Sequence, residues 1–285
     1  MFIRRIFNKA KKVISGIKKE EKLQQPAITN AINIVQYGFS GNYSSWQEAH
    51  IHTTGYNAEN ILQKVKQATL KVKNGEAAYE RDSFVFDSLQ HHWPLLACMQ
   101  TAAIENNLKL SVLDFGGSLG SNYNYIKKAI PLAVDLNWGI IEQEHFVTCG
   151  KEFFETDKLR FFYTINEMAA AMGTPNIVLL SSVLQYLPDC TKFIDELNQL
   201  KADYILITRT AYVTNDTGFW TVQRVPPSIY EASYPAYFFK EDEFESRFPD
   251  YEKICSFDDP FSPPLIVNHK NVHWGGELYR LKNIE

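Results

Sequence analysis

The apolar positions of this chain fall into three regimes. Near the start, Phe2, Ile3, Ile6, Phe7, Ala10, Val13, Ile14 and Ile17 recur at three- and four-residue steps, the period of one helical face. Residues 20–33 then read as a polar linker. Residues 37–56 (YGFSGNYSSWQEAHIHTTGY) keep no period and are rich in Gly, Ser and aromatics, which predicts a long ordered loop or cover. A helix follows over Asn57–Lys73, stopped by Gly75, and Pro94 opens another that runs to about Asn106. From residue 110 short apolar runs alternate with helical periods. Leu110–Phe115, Trp138–Glu142, Arg160–Thr164, Asn176–Ser181 and Tyr204–Thr208 read as strands, separated by helices near 120–130, 144–154, 166–173 and 190–201. Such alternation predicts βαβ units on a parallel sheet. The last part predicts a Pro- and aromatic-rich span (Trp220–Phe239), a short helix (Lys240–Phe248), and strands at Tyr251–Phe257 and Glu277–Leu281.

Composition narrows this picture. Of 285 residues 45% are apolar and 14% aromatic, enough for a sizeable packed core and too many for disorder. The longest apolar runs, Leu95–Met99 and Met168–Met172, are five residues, far below the ~20 that a membrane-spanning helix needs. Cys98, Cys149, Cys190 and Cys255 lie 41 residues or more apart, so no metal-ligand, redox or disulfide spacing is present. With no secretory signal pattern at residues 1–20, the expected compartment is the cytoplasm.

The net charge of −4 is unevenly spread. Residues 1–22 hold eight Lys/Arg and two Glu, so the rest of the chain carries −10. An acidic body excludes a general nucleic-acid binder. The basic amphipathic helix at 1–22 is suited to peripheral contact with an anionic membrane surface.

The densest chemistry lies in LSVLDFGGSLGSNY, residues 110–123. An apolar strand ends at Asp114, and a glycine turn leads into a helix whose N-terminus offers unpaired N–H groups. In open α/β sheets ligands bind beyond such strand ends. From Gly116, a dinucleotide fingerprint would need Gly where Ser118 and Ser121 stand, and a phosphate-binding Walker loop would need a Lys. Asp114 itself would repel phosphates and suits a ligand carrying positive charge. Glu142 ends the next strand, 26 residues after Gly116, where an acid can bind ribose hydroxyls. A nucleoside ligand is therefore expected, and an NAD-linked oxidoreductase disfavoured.

The segment Asp114-Phe115-Gly116-Gly117-Ser118-Leu119-Gly120 resembles motif I of class I S-adenosylmethionine-dependent methyltransferases, with Ser118 in place of the middle family glycine. Asn176–Pro188 (NIVLLSSVLQYLP) is similar to the family's fourth strand and following loop. The resemblance covers roughly residues 110–208 and the closing strand 277–281. It implies an α/β, Rossmann-like class I methyltransferase fold: a mostly parallel sheet with helices on both faces, an antiparallel final strand, and an N-terminal helical and loop extension. The implied domains are a basic amphipathic helix at 1–22, a helical and aromatic-loop extension at 23–107 covering the site, and a cofactor-binding domain at 108–285 with a substrate insertion at about 212–250. S-adenosyl-L-methionine is the implied cofactor. Asp114, Gly116, Gly117, Ser118, Gly120, Glu142, Gln143, Thr164, Ile165, Ser181 and Ser182 would bind it, with adenine near Thr164 and Ile165, and Gln185 beside it. The whole chain is also similar, through YGFSGNYSSWQEA, ERD, DFGGSLGSNY and HWGGELY, to a bacterial family of methyltransferases associated with surface-polysaccharide synthesis.

Methyl transfer needs the acceptor held in line with the methyl carbon, and a base if the acceptor is a hydroxyl. His273 and His269, in VNHKNVHWGGEL, are the expected bases, ahead of His50 and His52. Tyr43, Trp46 and Trp274 are expected to stack on a sugar face, Arg81 to meet a phosphate or carboxylate, and Gln185 and Tyr186 to orient the acceptor. The alternative expectations for Arg81 and Asp82 are a surface ion pair, and for the aromatics packing anchors. The acceptor would be a small molecule or glycan, and no metal is expected. A catalytically inactive, methyltransferase-like binding protein is the alternative function.

Overall fold

The computed structural model describes residues 37–54, 58–227, 229 and 231–282; the expectations for residues 1–33, Tyr56 and Asn57 fall outside them. The strands are β1 (Gly38–Tyr43), β2 (Tyr79–Arg81), β3 (Phe84–Phe86), β4 (Lys109–Phe115), β5 (Asp135–Ile141), β6 (Leu159–Phe162), β7 (Ile177–Ser181), β8 (Tyr204–Val213), β9 (Phe219–Val225), β10 (Ala232–Lys240), β11 (Tyr251–Asp258), β12 (Leu265–Val267) and β13 (Lys270–Leu281). The helices are α1 (Trp46–Ile51), α2 (Ala58–Lys73), α3 (Trp93–Glu105), α4 (Ser121–Ala129), α5 (Glu144–Phe153), α6 (Ile165–Met172) and α7 (Thr191–Leu200).

Five strands pair in parallel in the order β6-β5-β4-β7-β8. Strand β13 then adds antiparallel to β8, and β11 antiparallel to β13. This is the mostly parallel, Rossmann-like sheet with an antiparallel final strand. The alternation of buried side chains explains it. Leu110, Val112, Ile177 and Leu179 pack on one face with α3, α4 and α5, while Leu113, Val178 and Leu180 pack on the other with α6 and α7. Both faces are buried, as parallel strands with crossover helices require.

Caps set several helix starts. His92 Nδ1 accepts the N–H of Leu95 (3.1 Å) ahead of Pro94, and Thr164 Oγ1 accepts that of Glu167 (3.1 Å). Each closes an N–H that the first turn leaves open.

Four regions differ from the sequence expectation. The aperiodic stretch 37–54 contains strand β1 and helix α1, and Ser45 caps Glu48 at 3.1 Å. The Trp220–Phe239 span forms the hairpin β9–β10. There Pro235 stands opposite Val222 of β9, and β8 meets β10 only at Phe239 and Lys240, so the proline sits where β10 has a neighbour on one side alone. The expected helix Lys240–Phe248 shrinks to a 3-10 turn at Glu245–Arg247, because Asp242 sits at φ 61° and Phe244 and Phe248 are drawn into the core. Strand β8 runs five residues past its expected end at Thr208, with Arg209 in left-handed backbone (φ 54°) where pairing with β7 stops.

Candidate functional site

A cleft of about 620 Å³ opens across the C-terminal ends of β4, β5 and β7 and the middle of β8, a volume suited to a small-molecule ligand. Its floor is the glycine turn. Gly116 (φ 71°), Ser118 (φ 55°) and Gly120 (φ 99°) all take left-handed backbone. Ser118, at the departure from the family pattern, adopts the conformation a glycine adopts at less cost. Gly117 is needed for a different reason. A Cβ there would lie 2.6 Å from the Asp114 carboxyl carbon.

Asp114 supports this turn from beneath. It is fully buried, and its Oδ2 accepts the indole N–H of Trp138 at 3.1 Å. Burial lifts its pKa to about 7, against the indole donor and with the nearby charge of Glu142 pushing the same way. The expectation that Asp114 faces a cationic ligand is corrected: it does not line the cleft.

Glu142 does line it. Its Oε1 accepts the N–H of Ser118 (3.3 Å) and its Oε2 that of Gln143 (2.7 Å), so strand end and glycine turn are joined through one carboxylate. Burial raises its pKa, while these two N–H groups oppose the rise. Gln143, Ser181, Ser182, Gly116, Gly117, Ser118, Arg81 and Tyr186 also line the cleft.

Other expected residues stand elsewhere. Gly120 packs near Leu159, and Ile165 is buried in the core behind the sheet. Thr164 spends its hydroxyl on the α6 cap. Gln185 is buried, donating to Ser182 Oγ and the Arg209 carbonyl (both 3.2 Å), so it braces the wall from behind. Tyr43 stacks on His52 and Trp46 on His50, while Trp274 packs against Phe39 and Phe238. His273 stacks on Tyr212 with Glu241 at 3.8 Å, and His269 sits at φ 64° in the β12–β13 turn. None of Tyr43, Trp46, His50, His52, His269, His273 and Trp274 is in the cleft lining.

The cleft gains residues that sequence reasoning passed over. The β2–β3 hairpin supplies Tyr79, Glu80 and Ser83, helix α4 supplies Ser121 and Asn122, and β8 supplies Arg209. Glu80 is 1% exposed; its Oε1 accepts the Ser121 hydroxyl, and its Oε2 has no hydrogen-bond partner among the described residues. Burial lifts its pKa to about 7, with Ser121 opposing and the charge of Asp82 adding. Asp82 pairs with Arg209 (2.9 Å) rather than with Arg81. Burial, the largest single influence, would lower the Arg209 pKa; the charge and hydrogen bond of Asp82 together with the charges of Tyr79 and Asp259 outweigh it and hold the group above its usual value. Arg81 lies over the rings of Phe261 (4.5 Å) and Phe86 (5.7 Å). The signal for Arg209 was a cation interrupting an apolar strand (ILITRTAYV); for Glu80 it was an acid in the flagged ERD segment.

No protein-family model matches the chain, and no curated protein matches it. Among solved structures it is similar to TehB from Haemophilus influenzae (16% identity, TM-score 0.45), covering 69% of this chain and 64% of TehB, just under two thirds of its length. It is also similar to the 1,6-didemethyltoxoflavin-N1-methyltransferase of Burkholderia thailandensis with bound S-adenosylhomocysteine (13%, TM-score 0.41, 81% of this chain and 95% of that one). A third is human N-acetylserotonin methyltransferase in complex with SAM (10%, TM-score 0.44, 79% and 56%). These likenesses concern the course of the backbone.

Proposed function

We propose that the chain is a methyltransferase dependent on S-adenosyl-L-methionine, transferring a methyl group to a small or saccharide-linked acceptor, with oxygen the favoured acceptor atom. One observation carries the reading: the Glu142 carboxylate at the end of β5 faces the glycine turn after β4 across 3.3 Å, in a cleft at the strand ends. That donor set fits a nucleoside. The carboxylate can accept ribose hydroxyls, and Gly116, Gly117 and Ser118 line the cleft beside it. The glycine turn carries no Lys or Arg to answer a pyrophosphate.

When bound, the sulfonium supplies an activated methyl group. The chain's own work is to bind, orient and keep water out. Ile61, Val65 and Phe146 form an apolar wall of the cleft. Across β5, β4, β7 and β8 the strands span about 14 Å at ~4.8 Å per step, so Glu142 and Arg209 mark opposite ends. Arg81 and Tyr186 would meet the acceptor, Arg81 through an anionic group. Tyr186 is held by its hydroxyl on Gln223 (2.9 Å) and by its ring edge-on to Tyr234. The likeness of the aromatic loops to a polysaccharide-associated family supports a saccharide acceptor, reached at the inner membrane face through residues 1–20 of a cytoplasmic enzyme. The reading of a binding protein without turnover rests on one observation, that neither His269 nor His273 lines the cleft.

Calorimetric titration tests the cofactor. S-adenosylmethionine and S-adenosylhomocysteine should bind and NADH should not, and Glu142→Ala should weaken both by at least about tenfold, the loss of charged hydrogen bonds. Absence of binding by both sulfur nucleosides would overturn the reading.

A further inference from the structure

The cleft contains one buried acid that nucleoside binding leaves unused. Glu80 reaches the cleft wall from β2 and touches Ser121, the first residue of α4 after the glycine turn. One carboxylate oxygen is taken by that hydroxyl; the other is buried with no partner among the described residues. A buried carboxylate left in this state is costly unless an occupant supplies charge and donors. Of the two cations lining the cleft, Arg209 is engaged by Asp82 and Arg81 lies over the rings of Phe261 and Phe86. Neither cation therefore occupies the second oxygen of Glu80.

We propose that Glu80 accepts the α-ammonium of the cofactor's amino-acid end, and so discriminates the whole cofactor from its shortened nucleoside. The inference rests on the sulfur-nucleoside reading above. An ammonium fits better than the sulfonium, because it brings N–H donors for Oε2 and a sulfonium brings none.

The proposal has a pH signature. The groups facing Glu80 are Ser121 from α4, Tyr79, Asp82 and the backbone N–H of Ser83 from the hairpin, and Arg209 from β8. Burial places Glu80 at about 7, so it is partly protonated near neutrality. Ammonium binding needs the ionised form, and affinity should rise as pH climbs through this value.

The test uses the full-length protein with two ligands, S-adenosylhomocysteine and methylthioadenosine, which share the nucleoside and sulfur but differ in the amino-acid end. Titrations run from about pH 5.5 to about pH 8. Homocysteine-nucleoside affinity should fall by up to about tenfold per pH unit on the acid side, relative to methylthioadenosine. Glu80→Gln should weaken S-adenosylhomocysteine about 10- to 100-fold, remove its extra pH slope, and leave methylthioadenosine within about twofold. Equal pH slopes for the two ligands in the wild type, or equal weakening of both by Glu80→Gln, would overturn the assignment. Methylthioadenosine binding also reports that the variant is folded; if it is not, the wild-type slopes decide alone. Failure of both ligands to bind the wild type would instead remove the cofactor reading, and this inference with it.

Discussion

Asp114 is a single side chain with two consequences. Its full burial beneath Gly117 ties the turn to the Trp138 indole, and it raises the carboxyl pKa to about 7. In the unfolded chain an Asp titrates near ~3.9. Between these values the native state keeps a proton that the unfolded state has released, so this group's contribution falls as pH rises from about 4 to 7. Asp114→Asn removes that term. Relative to wild type, the variant should gain stability by a few kcal/mol at most between pH 5 and pH 7.5, read by urea denaturation at each pH; a difference independent of pH would refute the assignment. The same residue shows why motif reading misjudged its role. An acid before a glycine turn looks as if it must face the ligand, yet the strand's alternation turns it inward.

Among the elements, helix α6 separates local structure from function. Thr164 was expected beside adenine, but its hydroxyl accepts the N–H of Glu167 while Glu167 Oε2 accepts that of Tyr163 (2.9 Å). Thr164→Ala should cost about 1 kcal/mol in thermal or denaturant unfolding, the usual worth of such a cap, and leave S-adenosylhomocysteine affinity unchanged. A tenfold loss of affinity would return Thr164 to the cofactor site. Helix α1 is the converse case. Ser45-Trp46-Gln47-Glu48 carries a capping signature that was legible, but only six residues of helix follow, too few for a period to stand out. The hairpin β2–β3 left hardly any signal, since three-residue strands hold no alternation to count.

For the whole molecule, charge is divided along the chain more sharply than apolar character. Residues 1–22 carry +6 and the remainder −10. Removing residues 1–20 should abolish sedimentation with anionic vesicles and leave ligand binding intact, because among the described residues the cleft is lined from residue 61 onward. Unchanged sedimentation of the shortened protein would exclude a membrane role for that segment. Among the described residues no helix is long and apolar enough to cross a membrane.

The five parallel strands, the helices between them, the glycine turn and Glu142 were all readable along the chain. Each is a local pattern: a run buried on both faces, a helical period, a backbone that needs glycine, an acid at the next strand end. Which side chains share the cleft was not readable in this way. Glu80 and Ser121 stand 41 positions apart and Asp82 and Arg209 127 apart, and no period links them. Folding of the hairpin against α4 and β8 brings them together, while packing takes Trp46, Trp274 and His273 away from the cleft. Local preference acts over a few residues; the partners of a buried charge are chosen by the packing of the whole sheet.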